Sequence, residues 1–357
     1  MVGVIGSPVR QSLSPLLHNA AFAALDLNWV SLAFPVAPGQ VPAALNGMRA
    51  LGVAGLSVTM PHKAEVATLV DSCSEVAAQL QAVNCVINEG GTLHGANTDG
   101  DGFLASLKRA AGFEPAGKRC LVIGAGGAAR AVTHALGRAG AADVAVVNRT
   151  PNRAGAVAAL AGTAGRAVAT VDAAQVAQSD LVVNATPIGM AGMAGQDGAA
   201  GAADAAGAPD AAGAAGESAD ESEQWLVAPA LLHVGQVVTD LVYAPRPTPW
   251  LAASAAAGAT TVDGLGMLVH QAALQLELWT GQQAPVDVMW QAASAHPREP
   301  PLDEGQRSGG GPGPSTSTNR AHRLSRQCCP PSCRWRWIRY GSRWQPPSWP
   351  ALLEPPD

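Results

Sequence analysis

The stretch RCLVIGAGGAARA, residues 119–131, constrains this chain more than any other. An apolar run passes without a break into three glycines within four positions, and small helix formers follow. Gly124, Gly126 and Ala129 give the pattern G-x-G-x-x-A. The first glycine permits a tight turn, the second lets backbone approach a pyrophosphate, and the small third residue lets the helix pack closely. Ala125, Gly127 and Ala128 complete the turn, so residues 124–128 are the candidate dinucleotide contact, with the pyrophosphate on the helix N-terminus. A purely structural turn is the alternative for the glycines alone; the strand before them and the helix and strand after them favour the cofactor.

The next strand reads ADVAVVNR, residues 142–149. NAD-binding chains end this strand with a carboxylate that accepts from the ribose 2′-hydroxyl, about 20 residues past the glycines. Here that place holds Asn148, Arg149 and Thr150, with Arg153 as a second clamp. An arginine attracts a 2′-phosphate that a carboxylate would repel, so the stretch points to NADP. A solvated loop arginine is the other reading.

Ahead of this unit, VGVI (2–5), a helix from Ser14, WVSLAF (29–34), a helix near 40–50 and VAGLSV (53–58) alternate in βαβ rhythm, which implies a parallel sheet. AVNCVIN (82–88) and TLHGAN (92–97), joined by Glu89, Gly90 and Gly91, suit a hairpin at that sheet's edge. A helix over 99–111 opens a second series with strands at 119–124, 142–149 and 180–187, and the last helix runs from Gly264 to Trp279, stopped by Gly281. The predicted fold is α/β in two domains. Residues 1–98, completed by 245–285, form an α/β substrate domain. Residues 99–244 form a Rossmann-type domain, and the C-terminal helix returns to the first. A cleft lies between them, and closure about its connections is expected.

Residues 191–224 carry seven carboxylates and no basic residue among alanines and glycines, and are expected to be a disordered insertion. Residues 297–357, rich in proline, arginine and tryptophan without apolar periodicity, are expected to be a disordered tail. The tail holds nine arginines against five acids, which leaves thirteen basic against twenty-two acidic residues in the rest. So acidic a body argues against a nucleic-acid surface and for small-molecule partners. Cys73, Cys85 and Cys120 are scattered, and Cys328, Cys329 and Cys333 with His322 match no common zinc spacing, so neither a disulfide framework nor a metal site is expected. No apolar run of about 18 residues and no leader layout appear, which predicts a cytoplasmic protein without membrane partners.

Three polar runs remain. Ser12 and Ser14 in QSLSP precede a helix that Pro15 starts, where hydroxyls and free N–H groups can hold a carboxylate; a plain N-cap is an equally good reading of Ser14. SVTMPHK (57–63) holds one of three lysines, and GANTDGDGF (95–103) holds Asp99.

Taken together, QSLSP, VTMPHK, AVNC, NTDGDG, the glycine turn, NATPIGM (184–190), DLVYAP and GLGMLVHQAA resemble the NADP-dependent shikimate/quinate dehydrogenase family, over about residues 1–190 and 225–285. The chain departs from the family's usual pattern at Gln11, commonly histidine, and at Cys85, commonly threonine. The resemblance implies a catalytic pair, Lys63 and Asp99. It implies a substrate carboxylate on Ser12 and Ser14, and substrate contacts from Thr59, Asn84, Tyr243 and Gln271. Along the cofactor it implies Thr186, with Leu241, Gly264 and Met267 at the nicotinamide end.

Chemistry supports the lysine independently. Reducing a ketone with hydride leaves negative charge on oxygen, which needs a proton donor within reach. A nearby carboxylate keeps such a lysine protonated and oriented. Pro61 is expected to open the following helix, and His62 to be an exposed helix residue rather than a base; an ordinary surface ion pair is the competing reading of Lys63. The expected activity is NADPH-dependent reduction of 3-dehydroshikimate to shikimate by a monomer or homodimer. A quinate/shikimate dehydrogenase using NAD and a non-catalytic NADP-binding homologue are the alternatives.

Overall fold

The computed structural model describes residues 1–190 and 227–295; the expectations for 191–224 and 297–357 lie outside them. The chain runs β1 (Val2–Gly6), α1 (Ser14–Ala24), β2 (Ser31–Pro35), α2 (Val41–Leu51), β3 (Gly55–Val58), α3 (Lys63–Leu69), β4 (Ser72–Cys73), α4 (Glu75–Leu80), β5 (Cys85–Glu89) and β6 (Thr92–Ala96). It continues through α5 (Asp99–Ala111), β7 (Arg119–Ile123), α6 (Gly127–Arg138), β8 (Asp143–Val147), α7 (Pro151–Ala158), β9 (Gly165–Val168), α8 (Ala173–Gln178) and β10 (Leu181–Asn184). After the undescribed stretch come β11 (Val237–Asp240), α9 (Pro249–Ala256), β12 (Thr260–Asp263), α10 (Gly264–Thr280) and α11 (Val286–Ala295).

Two six-stranded sheets result among the described residues. The first has the order β2-β1-β3-β5-β6-β4, parallel around β1 and turned antiparallel at β5. Its hairpin is not the edge: Ser72 and Cys73 pair outside β6, a run too short to show as a pattern. The second sheet is wholly parallel, β12-β11-β10-β7-β8-β9. This is a doubly wound order whose switch point lies between β7 and β10. The first sheet reverses likewise between β1 and β3, so each sheet opens one crevice at its carboxyl edge.

Three elements differ from expectation. β9 is a half-exposed edge strand and α11 follows Gly281, neither with a strong pattern. Thr260–Asp263 pairs with β11, so the return toward the first sheet begins at Gly264 rather than at 245. TTVD is too short and too polar to read as a strand.

Helices α5 and α10 join the two sheets. Phe103 and Leu107 of α5 bury in the core under the second sheet. Leu265, Val269, Ala272 and Leu276 of α10 bury with Leu17, Ala21 and Phe22 against the first. The helices cross at Gly102, where a Cβ would stand 2.6 Å from the Gln271 backbone nitrogen. Polar contacts fix α10 on the first sheet: Trp279 Nε1 donates to the Val86 carbonyl at 3.1 Å and Gln275 Nε2 to that of Asn84 at 3.0 Å. No helix among the described residues is long and apolar enough to cross a membrane.

His18 of α1 is fully buried beside this seam, edge-on to Trp279, with Nε2 3.3 Å from the Ala272 carbonyl and Nδ1 3.4 Å from Ser31 Oγ. Burial pushes its pKa from 6.5 down to about 4. The folded chain therefore keeps His18 neutral while the unfolded chain takes up the proton, so its contribution is complete above pH 6.5 and is lost as pH falls toward 4. The loss is expected to reach about 3 kcal/mol. In urea unfolding, His18→Leu should flatten the profile across that window; a slope equal to the parent's would contradict the assignment.

Candidate active site

Asp99 is the first residue of α5 and is 5% exposed. A buried carboxylate must be paired, and both of its oxygens are. Lys63 Nζ donates to Oδ2 at 2.5 Å and Asn84 Nδ2 to Oδ1 at 2.8 Å. Asn84 also reaches Thr98 Oγ1 at 3.0 Å and Gln271 Oε1 at 3.4 Å, while its own oxygen accepts from the Thr98 amide at 2.8 Å. Gln275 Nε2 donates to Gln271 Oε1 at 2.9 Å, and Asn97 Oδ1 accepts from the Asp99 amide at 3.1 Å. Four predicted site residues, Lys63, Asp99, Asn84 and Gln271, thus meet in one network across four chain segments. Thr98, Asn97 and Gln275 belong to it as well and were missed, since amides and hydroxyls carry no spacing signature.

Lys63 is the first residue of α3, with 22% of its side chain exposed against 7% for Asp99. The pair is therefore inward-facing, unlike a surface ion pair. Pro61 lies in the turn before α3 rather than opening it. His62 is not exposed: it is the 1%-exposed N-cap residue, and its Nε2 donates to the Val36 carbonyl at 2.8 Å, because the turn after β3 packs onto the end of β2.

Ser12, Ser14 and Thr59 leave the carboxyl ends of β1 and β3, neighbouring parallel strands, and the two loops are tied by the Ser7 amide on the Met60 carbonyl at 3.0 Å. No hydrogen bond joins these three side chains to the Asp99 network among the described residues. Leu13, not Ser14, is the N-cap of α1; Ser12 Oγ accepts from the Ser14 amide at 3.3 Å, and Ser14 is buried as the first helical residue. Tyr243 packs beside α10, and burial raises its phenol pKa.

At the second switch point Gly124 has φ +117°, and a Cβ there would stand 2.9 Å from the Ala185 carbonyl and 3.1 Å from Thr186 Cγ2. The turn after β7 thus lies against the one after β10, where Thr186 Oγ1 donates to Asn184 Oδ1 at 2.7 Å. At Gly126 and Gly127 a Cβ would meet nothing within 4 Å, and Gly126 caps α6 without any side-chain hydrogen bond. Open backbone at a helix start, flanked by Ala125 and Ala128, fits a pyrophosphate. Ala129 is buried beneath it. Asn148, Arg149, Thr150 and Arg153 follow β8; both arginines are exposed and neither is in an ion pair among the described residues. Gly264 abuts the Leu241 carbonyl, and Met267 packs on the second core. The residues fit a dinucleotide phosphate, with cations at the strand end that would meet a 2′-phosphate.

Three family models match in chain order. They are the shikimate dehydrogenase substrate binding domain over 4–86, shikimate/quinate 5-dehydrogenase over 107–189, and the shikimate 5′-dehydrogenase C-terminal domain over 264–293. The shikimate dehydrogenase (NADP(+)) of Moorella thermoacetica is 43% identical over 81% of this chain and 90% of its own length. The chain belongs to the shikimate dehydrogenase family. That of Methanopyrus kandleri is 41% identical, over 84% of this chain and 96% of its own. The solved shikimate 5-dehydrogenase of Thermus thermophilus, in complex with NADP(H) and shikimate, superposes with a TM-score of 0.67 at 34% identity, over 82% of this chain and 98% of that one. As a family member the chain has the two-domain α/β architecture. Asp99, Leu241 and Tyr243 lie outside the three matched ranges. For Asp99 the hydrogen bonds above provide separate grounds.

The open space at Gly126 separates a cradle from a structural turn. Its φ of −83° suits any residue, so Gly126→Val should keep the fold to within about 1 kcal/mol in urea unfolding. NADPH affinity by titration calorimetry should fall at least about tenfold, because the added methyls occupy the phosphate's approach. Unchanged affinity would reduce the glycines to a turn.

Proposed function

We propose that the chain catalyses the reversible NADPH-dependent reduction of 3-dehydroshikimate to shikimate, an oxidoreductase step on a CH–OH group in aromatic amino-acid biosynthesis. The observation that carries this reading is the inward-facing Lys63–Asp99 pair at 2.5 Å, locked to Asn84 and Gln271. Residues 1–98 with α10 form the substrate side, and 99–263 the nucleotide side. Ser12 and Ser14 take the substrate carboxylate, and Thr59, Asn84 and Gln271 its hydroxyls. Tyr243 borders the ring.

Bound NADPH supplies the hydride that reduces the ketone carbon. Residues 124–128 and Thr186 hold its phosphates, Asn148, Arg149, Thr150 and Arg153 its 2′-phosphate and adenine end, and Leu241, Gly264 and Met267 its nicotinamide. Lys63 donates a hydrogen bond to the ketone oxygen and passes it a proton as negative charge develops there. In the reverse direction the amine accepts that proton. Asp99 holds the ammonium in place and aims it, and Asn84 keeps Asp99 from turning away. All these residues lie in one chain, so a monomer or either subunit of a homodimer suffices. A cytoplasmic location without nucleic-acid partners accompanies the proposal.

The activity is tested by following NADPH absorbance with 3-dehydroshikimate; folded protein that gives no turnover would end it. Lys63→Ala should lower kcat by about 10²–10⁴ while KM changes only severalfold, because the bond strengthens as charge develops. An unchanged kcat would return Lys63 to a salt-bridge role. Arg149→Ala should raise KM for NADPH about tenfold and leave that for NADH unchanged, since only the former carries the 2′-phosphate. Equal effects on both would remove Arg149 from cofactor choice.

A further inference from the structure

Arg130 is the fourth residue of α6, one turn from the open glycine cradle. Its guanidinium leaves the nucleotide side and donates through Nε and Nη2 to one acceptor, the Leu80 carbonyl, at 3.2 and 3.1 Å. Leu80 is the last residue of α4, 1% exposed, and packs with Ala82 against Ala131 of α6. His134 Nε2, one turn further along α6, stands 2.6 Å from Gln79 Oε1. The two sides of the molecule therefore meet at an α4–α6 joint separate from the α5–α10 crossing.

The joint leads directly to the reaction centre. From Leu80 the chain takes four steps to Asn84. On the way the Ala82 carbonyl accepts from Asn97 Nδ2 at 3.0 Å and the Val83 amide donates to the Lys63 carbonyl at 2.9 Å. Asn84 then holds Asp99. Residues 80–84 thus touch the backbone of the proton donor and the side chain that orients its carboxylate.

The charge of Arg130 is placed asymmetrically. A cation near the start of α6 opposes that helix's dipole, whereas at the end of α4 it meets an unsatisfied carbonyl and a favourable dipole. A pyrophosphate on the first turn of α6 would remove the unfavourable half of this balance and seat Arg130 more firmly on Leu80. We propose that Arg130 is a positioning residue that couples occupancy of the nucleotide cradle to the placement of Asn84 and Lys63. The inference rests on the functional reading above and deepens it, because it gives the two binding sites a specific linkage.

The test uses shikimate and NADPH, a pair that cannot turn over. Calorimetry on the full chain measures the shikimate Kd with and without saturating NADPH. In the parent, NADPH should tighten shikimate by about fivefold or more. In Arg130→Met that factor should fall to within about twofold of unity, and Arg130→Lys, with one ammonium for the fork, should keep part of it. A factor unchanged in Arg130→Met, including one that persists while both ligands weaken alike, makes Arg130 merely structural and overturns the proposal. So does a parent that binds both ligands without coupling. A parent that binds neither overturns the functional reading and this inference together. Hydrogen exchange on the parent requires no variant: NADPH alone should slow exchange at Ala82–Asn84, and exchange unaltered there would also overturn the coupling.

Discussion

The carboxylate of Asp99 is the point on which the site depends. Removed from water, it is tolerable only with both oxygens engaged, and its partners come from neighbouring strand ends at the first sheet's carboxyl edge: Lys63 after β3, and Asn84 before β5. Removal of either partner leaves a buried charge half satisfied. The cluster is thus a packing constraint as well as a chemical one. It places a lysine where water is scarce and a proton donor is useful.

The remaining architecture brings ligands to that point. Each sheet reverses its winding once, and the loops at the reversal carry the expected contacts: Ser12, Ser14 and Thr59 on one sheet, the glycine turn and Thr186 on the other. Helices α5 and α10 fix the distance between the two crevices by crossing where Gly102 admits the backbone of Gln271. Because Asp99 begins α5 and Gln271 lies on α10, the helices that join the sheets also deliver residues to the site. At the nucleotide edge, Asp240 is buried and accepts from Asn184, Thr248 and the Val242 amide, which ties the turns bearing Thr186 and Leu241; burial raises its pKa.

Much of this was legible in the sequence wherever one short stretch carries the whole signal. RCLVIGAGGAARA contains its own strand, turn and helix start, and the strands that follow it at 142–149 and 180–187 have apolar cores of several residues. The Lys63–Asp99 pairing was legible only through family resemblance, since no local pattern states that residues 36 apart in sequence meet. Edge and short elements escaped: β4 has two residues, β12 has a single apolar residue, and β9 is half-exposed, so none shows periodicity. His62 reads in the sequence as an exposed helix residue, and its burial comes from packing on Val36, a contact made only in the fold. Asn97, Thr98, Gln275 and Arg130 act through amides, hydroxyls and one backbone carbonyl, which no residue spacing foretells.

The central claim is that Lys63 and Asp99 act as one proton-handling unit rather than as two separate contributors. A double-mutant cycle on kcat for 3-dehydroshikimate reduction tests it most directly, with Lys63→Ala, Asp99→Ala and the double variant each checked for folding. The account predicts strong non-additivity, with the double variant no slower than about the slower single one. Losses that multiply, as for independent sites, would contradict it.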